Sequence, residues 1–259
     1  MATSATSATP ATPATSAVSA TSAVSAPARR LAEADFSALV QRFADAGFDV
    51  VQPARGIVTI RSVSGAPRAS VLVSVGVHGD ETGPIEVLAK VLDALSQQPL
   101  ALAVDLMVCV GNIDAIAAGT RFIDADLNRM FRPLRGALAS AAEAARADAM
   151  IACTDTFFAK SGALRWHLDL HTAIRPSQYP SYAVVPDLLA PERKAALINW
   201  LGQAAIGAIS MNPQTAGTYS YYSAEHHGAA GATVELGRVG TLGQNDLSLF
   251  ADAHAALDA

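Results

Sequence analysis

The chain has 259 residues, of which 51% are hydrophobic and 16% charged, with a formal net charge of −5 and two cysteines. Two cysteines cannot build the disulfide framework of a small secreted scaffold, and the mildly acidic balance gives no electrostatic footprint for nucleic acid or an anionic membrane surface. No run approaches the roughly 18 to 20 consecutive apolar residues of a membrane-spanning helix, so we expect a soluble, cytoplasmic protein with one large core or two smaller ones.

The first 28 residues differ in composition from the rest of the chain. After Met1 they contain only Ala, Thr, Ser, Pro and Val in near-repeats, with no charge before Arg29. Such a segment cannot bury enough apolar surface to offset the entropy of ordering, and it lacks the basic and apolar regions of a signal peptide. We predict a disordered tail at residues 1–28, with a flexible tether or a mis-assigned start codon as alternatives, and a folded domain at residues 29–259.

The folded part begins with one helix and two strands. Apolar residues at helical spacing predict a helix at residues 31–47, which ends at a glycine. Strands are predicted at residues 56–63 and 69–77. The second strand is almost continuously apolar, which is typical of a strand buried on both faces.

Polar residues follow this second strand directly. His78 lies where the strand ends, Gly79 permits a tight reversal, and Glu81 precedes a helix predicted at residues 84–95. A His and a Glu three residues apart can supply two ligands of a catalytic zinc site, which also needs an open position for water. A cap and a surface group are the commoner reading of such a pair, so this motif alone is a weak signal.

An acidic loop at residues 119–131 follows the strand predicted at residues 102–110. Its Asp and Asn spacing resembles the start of an EF-hand calcium loop, but Arg129 and Arg135 stand where that loop needs Gly and Glu. We therefore exclude an EF-hand. Arg121 and Arg129 flank the cluster and suit the recognition of a carboxylate or the stabilisation of a developing oxyanion; an ordinary surface salt-bridge loop is the alternative.

A helix is predicted at residues 137–160, and the strand that follows at residues 165–171 carries ionisable side chains on one face. Period-two alternation places apolar and ionisable residues on opposite faces: Trp166, Leu168 and Leu170 on one, His167, Asp169 and His171 on the other. Three ionisable groups in a buried strand are costly unless they are paired. A metal at the end of the strand would pair them, with His171 as a third ligand and Asp169 as an outer-shell partner; a polar network in the core is the alternative.

The last predicted elements are a strand at residues 183–186, a helix at residues 191–209 and a strand at residues 232–236. Glu235 lies among the apolar residues of the last strand. It fits a general base that activates a metal-bound water, or alternatively a buried ion pair with Arg238. Strands that alternate with helices predict an α/β fold with a largely parallel sheet, in which ligands gather at the carboxyl ends of the strands.

Four segments together resemble the succinylglutamate desuccinylase/aspartoacylase family of the zinc carboxypeptidase clan. They are H-G-D-E at 78–81, G-T-R-F-I-D-A-D-L-N-R-M-F at 119–131, D-L-H-T-A at 169–173 and T-V-E-L-G at 233–237. They occur in the family's order and spacing, and the resemblance runs from about residue 31 to the C-terminus. It implies a three-layer α/β/α zinc-carboxypeptidase-like fold around a central, largely parallel mixed sheet. The segments W-H-L-D-L-H-T-A-I-R and G-Q-N-D-L look more similar to the bacterial succinylglutamate desuccinylases than to the aspartoacylases.

The resemblance also implies a catalytic role for each matching residue. His78, Glu81 and His171 match the ligands of one zinc ion per chain. Glu235 matches the general acid/base, and Arg121 matches the arginine that polarises the scissile carbonyl and stabilises the oxyanion.

The same resemblance implies the substrate. Asn128 and Arg129 match the pair that grips the carboxylate of the amino-acid part, and Arg175 is a further candidate for the succinyl carboxylate. The implied reaction is the hydrolysis of N-succinyl-L-glutamate to succinate and L-glutamate, in arginine catabolism by the succinyl route. The alternatives are another N-acyl amino acid such as N-acetylaspartate, a peptide-cleaving metallocarboxypeptidase, or an inactive zinc-binding fragment. The last alternative arises because family members normally continue past residues 243–247 into a small C-terminal β domain, which we expect to be absent here.

The other reactive side chains are predicted to have no catalytic role. His226 and His227 precede the last strand, but three protein ligands already leave the open coordination position that a catalytic zinc needs. Cys109 and Cys153 are predicted to be inert core thiols. The sequence contains no G-x-S-x-G, P-loop or G-x-G-x-x-G motif, so it does not indicate a serine hydrolase or a nucleotide-binding protein.

Overall fold

The structure, a computed structural model, describes residues 23–64, 66, 68–175, 177–214 and 216–258. Strands within these residues form one sheet: β1 (Asp49–Ala54), β2 (Ile57–Arg61), β3 (Ser70–Val75), β4 (Asp105–Val110), β5 (Arg165–Ala173), β6 (Ser181–Pro186), β7 (Ala208–Asn212) and β8 (Ala230–Arg238). The α-helices are α1 (Ala26–Ala32), α2 (Ser37–Asp45), α3 (Gly83–Gln97), α4 (Ile113–Ala118), α5 (Ala144–Ala159), α6 (Pro191–Gln203), α7 (Tyr219–His227) and α8 (Ala251–Asp258). None of these helices is long and apolar enough to cross a membrane.

The sheet is mixed, with a parallel centre. Its strand order is β1-β2-β4-β3-β5-β8-β6-β7. Strands β4, β3, β5 and β8 are parallel, whereas β2 and β6 run antiparallel to the neighbours that flank this centre. The chain leaves β3 towards β4 on one side and returns to β5 on the other, and ligands bind in the crevice that such a reversal creates at the carboxyl ends. The predicted largely parallel, mixed sheet is confirmed.

Helices cover both faces of the sheet, which confirms the predicted three layers. On one face, apolar side chains such as Val73, Val75 and Leu170 pack with residues of α1, α2, α3 and α6. On the other face, Leu72 and Met107 pack with residues of α5 and α7. The predicted alternation in β5 is also confirmed, because Trp166, Leu168 and Leu170 belong to the first core and the ionisable residues between them do not.

The N-terminal region differs from its prediction in two ways. Residues 1–22 of the predicted tail lie outside the described residues, but residues 26–28 belong to α1. Helix α1 starts there because the Ser25 hydroxyl accepts a hydrogen bond from the N–H of Ala28 and a proline occupies the first turn. The helix predicted at residues 31–47 covers the end of α1 and all of α2, which are separated where Ala34 adopts a left-handed φ of 59°.

Two further predicted helices are too long. The region 137–160 divides into a short 3-10 helix (Gly136–Ser140) and α5. The region 191–209 divides into α6 and β7, with Ala205 at a φ of 54° between them. Strand β7 pairs with β6 at the edge of the sheet, so its extended conformation depends on that tertiary pairing. Strand β1 and helices α4, α7 and α8 were not predicted.

Candidate metal and active site

Three buried side chains converge at the carboxyl ends of β3 and β5. His78 and Glu81 lie in the turn that joins β3 to α3, and His171 lies near the end of β5. Their ligand atoms are all within 4.8 Å of one another. Nδ1 of His78 is 2.8 Å from Oε1 of Glu81, Nδ1 of His171 is 2.9 Å from Oε2, and the two Nδ1 atoms are 3.2 Å apart. The structure therefore brings together the three predicted metal ligands, His78, Glu81 and His171, which we call the ligand group.

The turn that carries His78 and Glu81 is held from two directions. A Cβ atom on Gly79 would collide with the backbone of Ala115 and Ile116 in α4, so only glycine permits this approach. The N–H of Gly79 donates to the carbonyl of Arg121 at 3.0 Å. The turn and the loop that follows α4 are therefore fixed to each other, and Arg121 lies next to the ligand group.

Burial and neighbouring charges shift the pKa of each of the three side chains. Burial would lower the pKa of His78, but Asp126 and Glu81 raise it above its usual value. In the same way burial opposes the charge on His171, while Asp169 and Glu81 raise its pKa well above the usual value. Burial alone would raise the pKa of Glu81, but the two imidazoles hold it well below its usual range. The two imidazoles thus stabilise the anionic form of Glu81, which lies between them.

This donor set fits a divalent metal ion. Two imidazole Nδ1 atoms and a carboxylate face one point, and nitrogen with oxygen is the ligand combination of catalytic metal sites that keep an open position. The buried Oε2 of Glu235 has no hydrogen-bond partner among the described residues and lines the adjoining cavity. An unpartnered carboxylate oxygen beside the ligands is chemically consistent with a group that acts on a metal-associated water.

Two acidic residues contact the outer sides of the imidazoles. Asp126 Oδ1 lies 3.0 Å from Nε2 of His78, and Asp169 Oδ2 lies 3.0 Å from Nε2 of His171. Such carboxylates orient metal-binding histidines and set which nitrogen carries the proton. The sequence predicts this role for Asp169, whereas it indicates Asp126 only as part of an EF-hand-like spacing. Its contact with His78 depends on a loop 48 residues away along the chain, and no local spacing signals it.

Arg121 and Glu235 lie against the ligand group from different elements. Nη1 of Arg121 donates to Oε1 of Glu81 at 2.7 Å, and Nη2 lies 3.1 Å from Nε2 of His78. Glu235 is the register partner of His171 in the parallel pairing of β5 and β8. Burial raises the pKa of Glu235, and the charge of Glu81 adds to that shift against the opposing effect of His171. No Arg238 bond to Glu235 occurs among the described residues, so the ion-pair alternative receives no support.

Two adjoining cavities open beside these residues and share Arg121 and Glu235. One, of about 200 Å³, also contains His78, His171, Asn128 and Arg129 in its wall. The other, of about 450 Å³, is bordered by Glu81, Thr172, Arg175 and Tyr182. All eight predicted site residues therefore border one continuous region at the carboxyl edge of the sheet.

The predicted substrate-binding residues differ in the exposure of their side chains and in their hydrogen bonds to the protein. Asn128 is buried; its Oδ1 accepts from the N–H of Tyr219 at 2.9 Å, and its Nδ2 is 3.4 Å from Nε2 of His171. Arg129 is half exposed and bonds the Asn128 carbonyl at 2.8 Å, and Arg175 is exposed at the rim. Asn128 thus forms part of the wall, whereas the two arginines carry positive charge at the opening.

Tyr182 is a site residue that the sequence analysis missed. It lies opposite Glu235 in the antiparallel pairing of β6 and β8, and it borders the larger cavity. Burial and the charge of Glu235 raise its pKa. The predicted strand begins at residue 183, so Tyr182 falls just outside it.

The histidines and cysteines that were predicted to have no catalytic role lie elsewhere. His227 bonds Asp155 at 2.8 Å, and His226 faces Glu225 at the end of α7. Both cysteines are buried, and burial raises the pKa of Cys109 to about 11.

Comparison with known protein families gives a consistent result. The family profile described as the succinylglutamate desuccinylase/aspartoacylase catalytic domain matches residues 67–259. A succinylglutamate desuccinylase of Burkholderia cenocepacia is 46% identical over 194 residues, which cover 74% of this chain and 56% of the relative. One from Burkholderia orbicola is 41% identical over 234 residues, which cover 90% of this chain and 66% of the relative. The chain therefore spans little more than half to two thirds of the length of these relatives.

Solved structures show the same fold. A succinylglutamate desuccinylase from Chromobacterium violaceum superposes with a TM-score of 0.77 at 33% identity, covering 86% of this chain and 75% of that one. A metallo-carboxypeptidase from Burkholderia cenocepacia gives a TM-score of 0.62 at 16% identity, covering 86% and 67%. At that identity the second likeness concerns the fold alone, and it confirms the predicted carboxypeptidase-like architecture.

Proposed function

From the fact that this chain belongs to the succinylglutamate desuccinylase/aspartoacylase family, we propose that it is a zinc-dependent amide hydrolase that converts N-succinyl-L-glutamate and water to succinate and L-glutamate. The observation that carries the proposal is the convergence of His78, Glu81 and His171 beside Glu235 and Arg121. In this role the enzyme performs a step of arginine catabolism. One zinc ion per chain is held by the two histidines and Glu81.

Zinc, when bound, supplies a Lewis acid that polarises a carbonyl group and lowers the pKa of a coordinated water from about 15.7 towards 7. The protein supplies the proton transfers. Glu235 takes a proton from the attacking water, and the same carboxyl group then returns it to the leaving amine of glutamate. Its raised pKa makes Glu235 a stronger base than an exposed glutamate and keeps the protonated form accessible for the second transfer.

Arg121 is placed to stabilise negative charge on the scissile carbonyl oxygen. Its guanidinium is fixed by Glu81 and faces both cavities. The backbone contact with Gly79 keeps its position constant, so little reorganisation is needed as charge develops.

Two arginines at the opening suit a substrate that carries a carboxylate at each end. Arg129 and Arg175 place two positive charges at the opening on either side of the catalytic residues. A guanidinium binds a carboxylate through two parallel hydrogen bonds, which selects orientation as well as charge. We assign Arg129, with Asn128 behind it, to the glutamate end, and Arg175 to the succinyl carboxylate.

The test is steady-state hydrolysis with the zinc-loaded chain, with release of the primary amine as the signal. We expect N-succinyl-L-glutamate to be cleaved with a higher kcat/KM than N-acetyl-L-aspartate and an N-blocked dipeptide. Preference for acetylaspartate would assign the chain to the other acyl class. Absence of turnover on all three substrates in a preparation shown to contain zinc would contradict the proposal.

Zinc content is the companion measurement. We expect about one zinc ion per chain, and loss of that zinc in His78→Ala. His226→Ala is the matched control, because His226 is a partly exposed histidine that lies outside the ligand group; it should retain its zinc. A fully active preparation without metal would rule out the mechanism.

A further inference from the structure

Four connected polar side chains, which we call the relay, lie beneath the ligand group, on the side away from the cavities. The relay consists of Ser223 of α7, His167 and Asp169 of β5, and Ser74 of β3, and all four are fully buried. The proposed reaction gives no role to Ser223, His167 or Ser74. Buried polar groups carry a high energetic cost unless every member is bonded, so such a chain needs a reason.

The contacts run without a gap from α7 to a metal ligand. Ser223 Oγ is 2.7 Å from Nδ1 of His167, and Nε2 of His167 is 2.9 Å from Oγ of Ser74. Ser74 Oγ donates to Oδ1 of Asp169 at 2.5 Å, and Oδ2 of Asp169 lies 3.0 Å from Nε2 of His171. Ser74 and Asp169 are register partners in the pairing of β3 and β5, so the strand alignment itself sets the central contact.

The direction of each hydrogen bond follows from the carboxylate. A carboxylate only accepts, so the single hydroxyl proton of Ser74 points to Asp169. Ser74 can then only accept from His167, which places a proton on Nε2 of that ring. Burial lowers the pKa of His167 to about 4, so the ring carries one proton at neutral pH and its Nδ1 accepts from the hydroxyl of Ser223.

These hydrogen-bond directions determine which ring nitrogen of His171 carries the proton. Nε2 of His171 has two neighbours of opposite character, the acceptor Oδ2 of Asp169 at 3.0 Å and the donor Nδ2 of Asn128 at 3.4 Å. The amide of Asn128 cannot reverse, because its Oδ1 accepts from Tyr219. A proton on Nε2 satisfies Asp169 and leaves Nδ1 unprotonated, whereas an unprotonated Nε2 would accept from Asn128 and put the proton on Nδ1, the atom that faces Glu81.

Resting on the proposed metal site, we propose that Ser74, His167 and Ser223 are positioning residues that hold Asp169 towards Nε2 of His171 and so keep Nδ1 free to bind the metal. With Oδ1 fixed by Ser74, Asp169 cannot turn away, and its buried Oδ2 stays 3.0 Å from Nε2 of the His171 ring. The relay thus selects between the two protonation isomers of His171.

The test compares two buried serines of one strand. Ser74→Ala removes the central hydroxyl of the relay, and Ser70→Ala is the control, because Ser70 is equally buried in β3 on the same sheet face but its hydroxyl has no hydrogen bond among the described residues. Zinc affinity is measured by competition with a chromophoric chelator. Loss of the group that contacts a metal ligand typically lowers metal affinity about 10- to 100-fold. Ser74 acts through that group, Asp169, so we expect a loss at the lower end of this range, about tenfold, for Ser74→Ala and no comparable loss for Ser70→Ala.

A second variant guards against misfolding of the first. Ser223→Ala acts at the far end of the relay, and we expect a smaller loss of affinity, below tenfold. Long-range ¹H–¹⁵N spectra of the zinc-loaded protein should show His171 protonated at Nε2, with a diminished or altered signal in Ser74→Ala.

The outcomes separate this inference from the proposed function. If the unaltered chain binds zinc but Ser74→Ala and Ser223→Ala bind it as tightly as Ser70→Ala, the relay is wrong and the active site stands. Protonation of His171 at Nδ1 in the zinc-loaded protein would also overturn the relay. If the unaltered chain binds no zinc, the proposed function itself fails.

Discussion

The carboxylate of Glu143, just before α5, accepts a hydrogen bond at 2.7 Å from the backbone N–H of Ile123, in the loop that carries Arg121. The same carboxylate accepts from the next two backbone N–H groups and from the side chain of Asn112. One buried carboxylate thus determines the shape of a loop that has no regular secondary structure at this point. The position of Arg121 depends on a residue 22 places further along the chain.

Glu143→Gln should therefore weaken both stability and catalysis. The amide places an NH₂ group where one of the backbone donors needs an acceptor, and the loss of charged hydrogen bonds with one unsatisfied donor costs about 2–3 kcal/mol. A displaced Arg121 should also lower kcat, by about tenfold to 100-fold. Urea unfolding and steady-state kinetics measure the two effects. Glu33→Gln, at an exposed glutamate, is the control and should change neither.

The stabilisation by Glu143 should depend on pH. Burial alone would raise its pKa, but the three backbone donors and Asn112 lower it below the usual value of 4.5. A lowered folded-state pKa means that the contribution is complete above pH 4.5 and is lost as the pH falls through the folded-state value. The difference in the free energy of unfolding between the unaltered chain and Glu143→Gln should shrink in that acidic window. A difference that grows on acidification would contradict this assignment.

Glu235→Gln should separate metal binding from turnover. The substitution keeps the size of the side chain but removes the base, so zinc content should stay unchanged while kcat falls by about 100- to 10,000-fold. Metal analysis and amine release are the measurements. Glu225→Gln, in α7 and partly exposed, serves as the control. Substantial turnover in Glu235→Gln would mean that another group transfers the proton, with Tyr182, its register partner on β6, as the candidate.

Arg121→Ala should act mainly on the chemical step. Removal of one donor from an oxyanion site costs about 100- to 1,000-fold in kcat, and Arg121→Lys should recover only part of that loss because the ammonium cannot bond Glu81 and the substrate oxygen with the same fork. Arg55→Ala, which breaks an exposed ion pair with Asp114, is the control. A kcat that stays within a few-fold of the unaltered value would exclude Arg121 from the oxyanion site.

Substitution of Asn245 should lower the free energy of unfolding more when it adds a negative charge than when it only shortens the side chain. Its Nδ2 donates to the buried carboxylate of Glu86 at 2.5 Å and to Thr82 at 2.9 Å, which connects the G-Q-N-D-L segment to the turn that carries Glu81. Asn245→Ala loses hydrogen bonds worth about 1–2 kcal/mol. Asn245→Asp places a second carboxylate against Glu86 and should cost about 3–5 kcal/mol. Thermal or urea unfolding measures which variant is less stable. Equal destabilisation by Asn245→Ala and Asn245→Asp would show that repulsion between the new carboxylate and Glu86 does not contribute.

Local sequence patterns were sufficient for the strands that form the centre of the sheet. Residues 69–77 and 165–171 are apolar or alternating over their whole length, and a buried strand requires that pattern whatever its neighbours are. The sequence motifs also made His78, Glu81, His171 and Glu235 candidates, although each motif alone left other readings open. The family resemblance added the individual roles.

Other features were decided only by tertiary structure. The sequence does not indicate strand β7, and the helix predicted at residues 191–209 overlaps its first two residues, because the extended form of β7 depends on pairing with β6. The sequence predicts a single helix across the end of α1 and α2, because the break at Ala34 leaves the helical spacing of apolar residues intact. Local composition therefore indicates neither the strand pairing of β7 nor the break between the two helices.

The site itself shows the same division. Sequence alone determined which residue types stand at the strand ends, and hence that this chain of 259 residues could bind a metal. Only the alignment of β3, β5 and β8 brought Ser74 beside Asp169, and His171 beside Glu235. Only the folded loop brought Asp126 to His78 and Glu143 to the backbone behind Arg121. Contacts between residues far apart in the chain depend on strand order and register, which no short window of sequence contains.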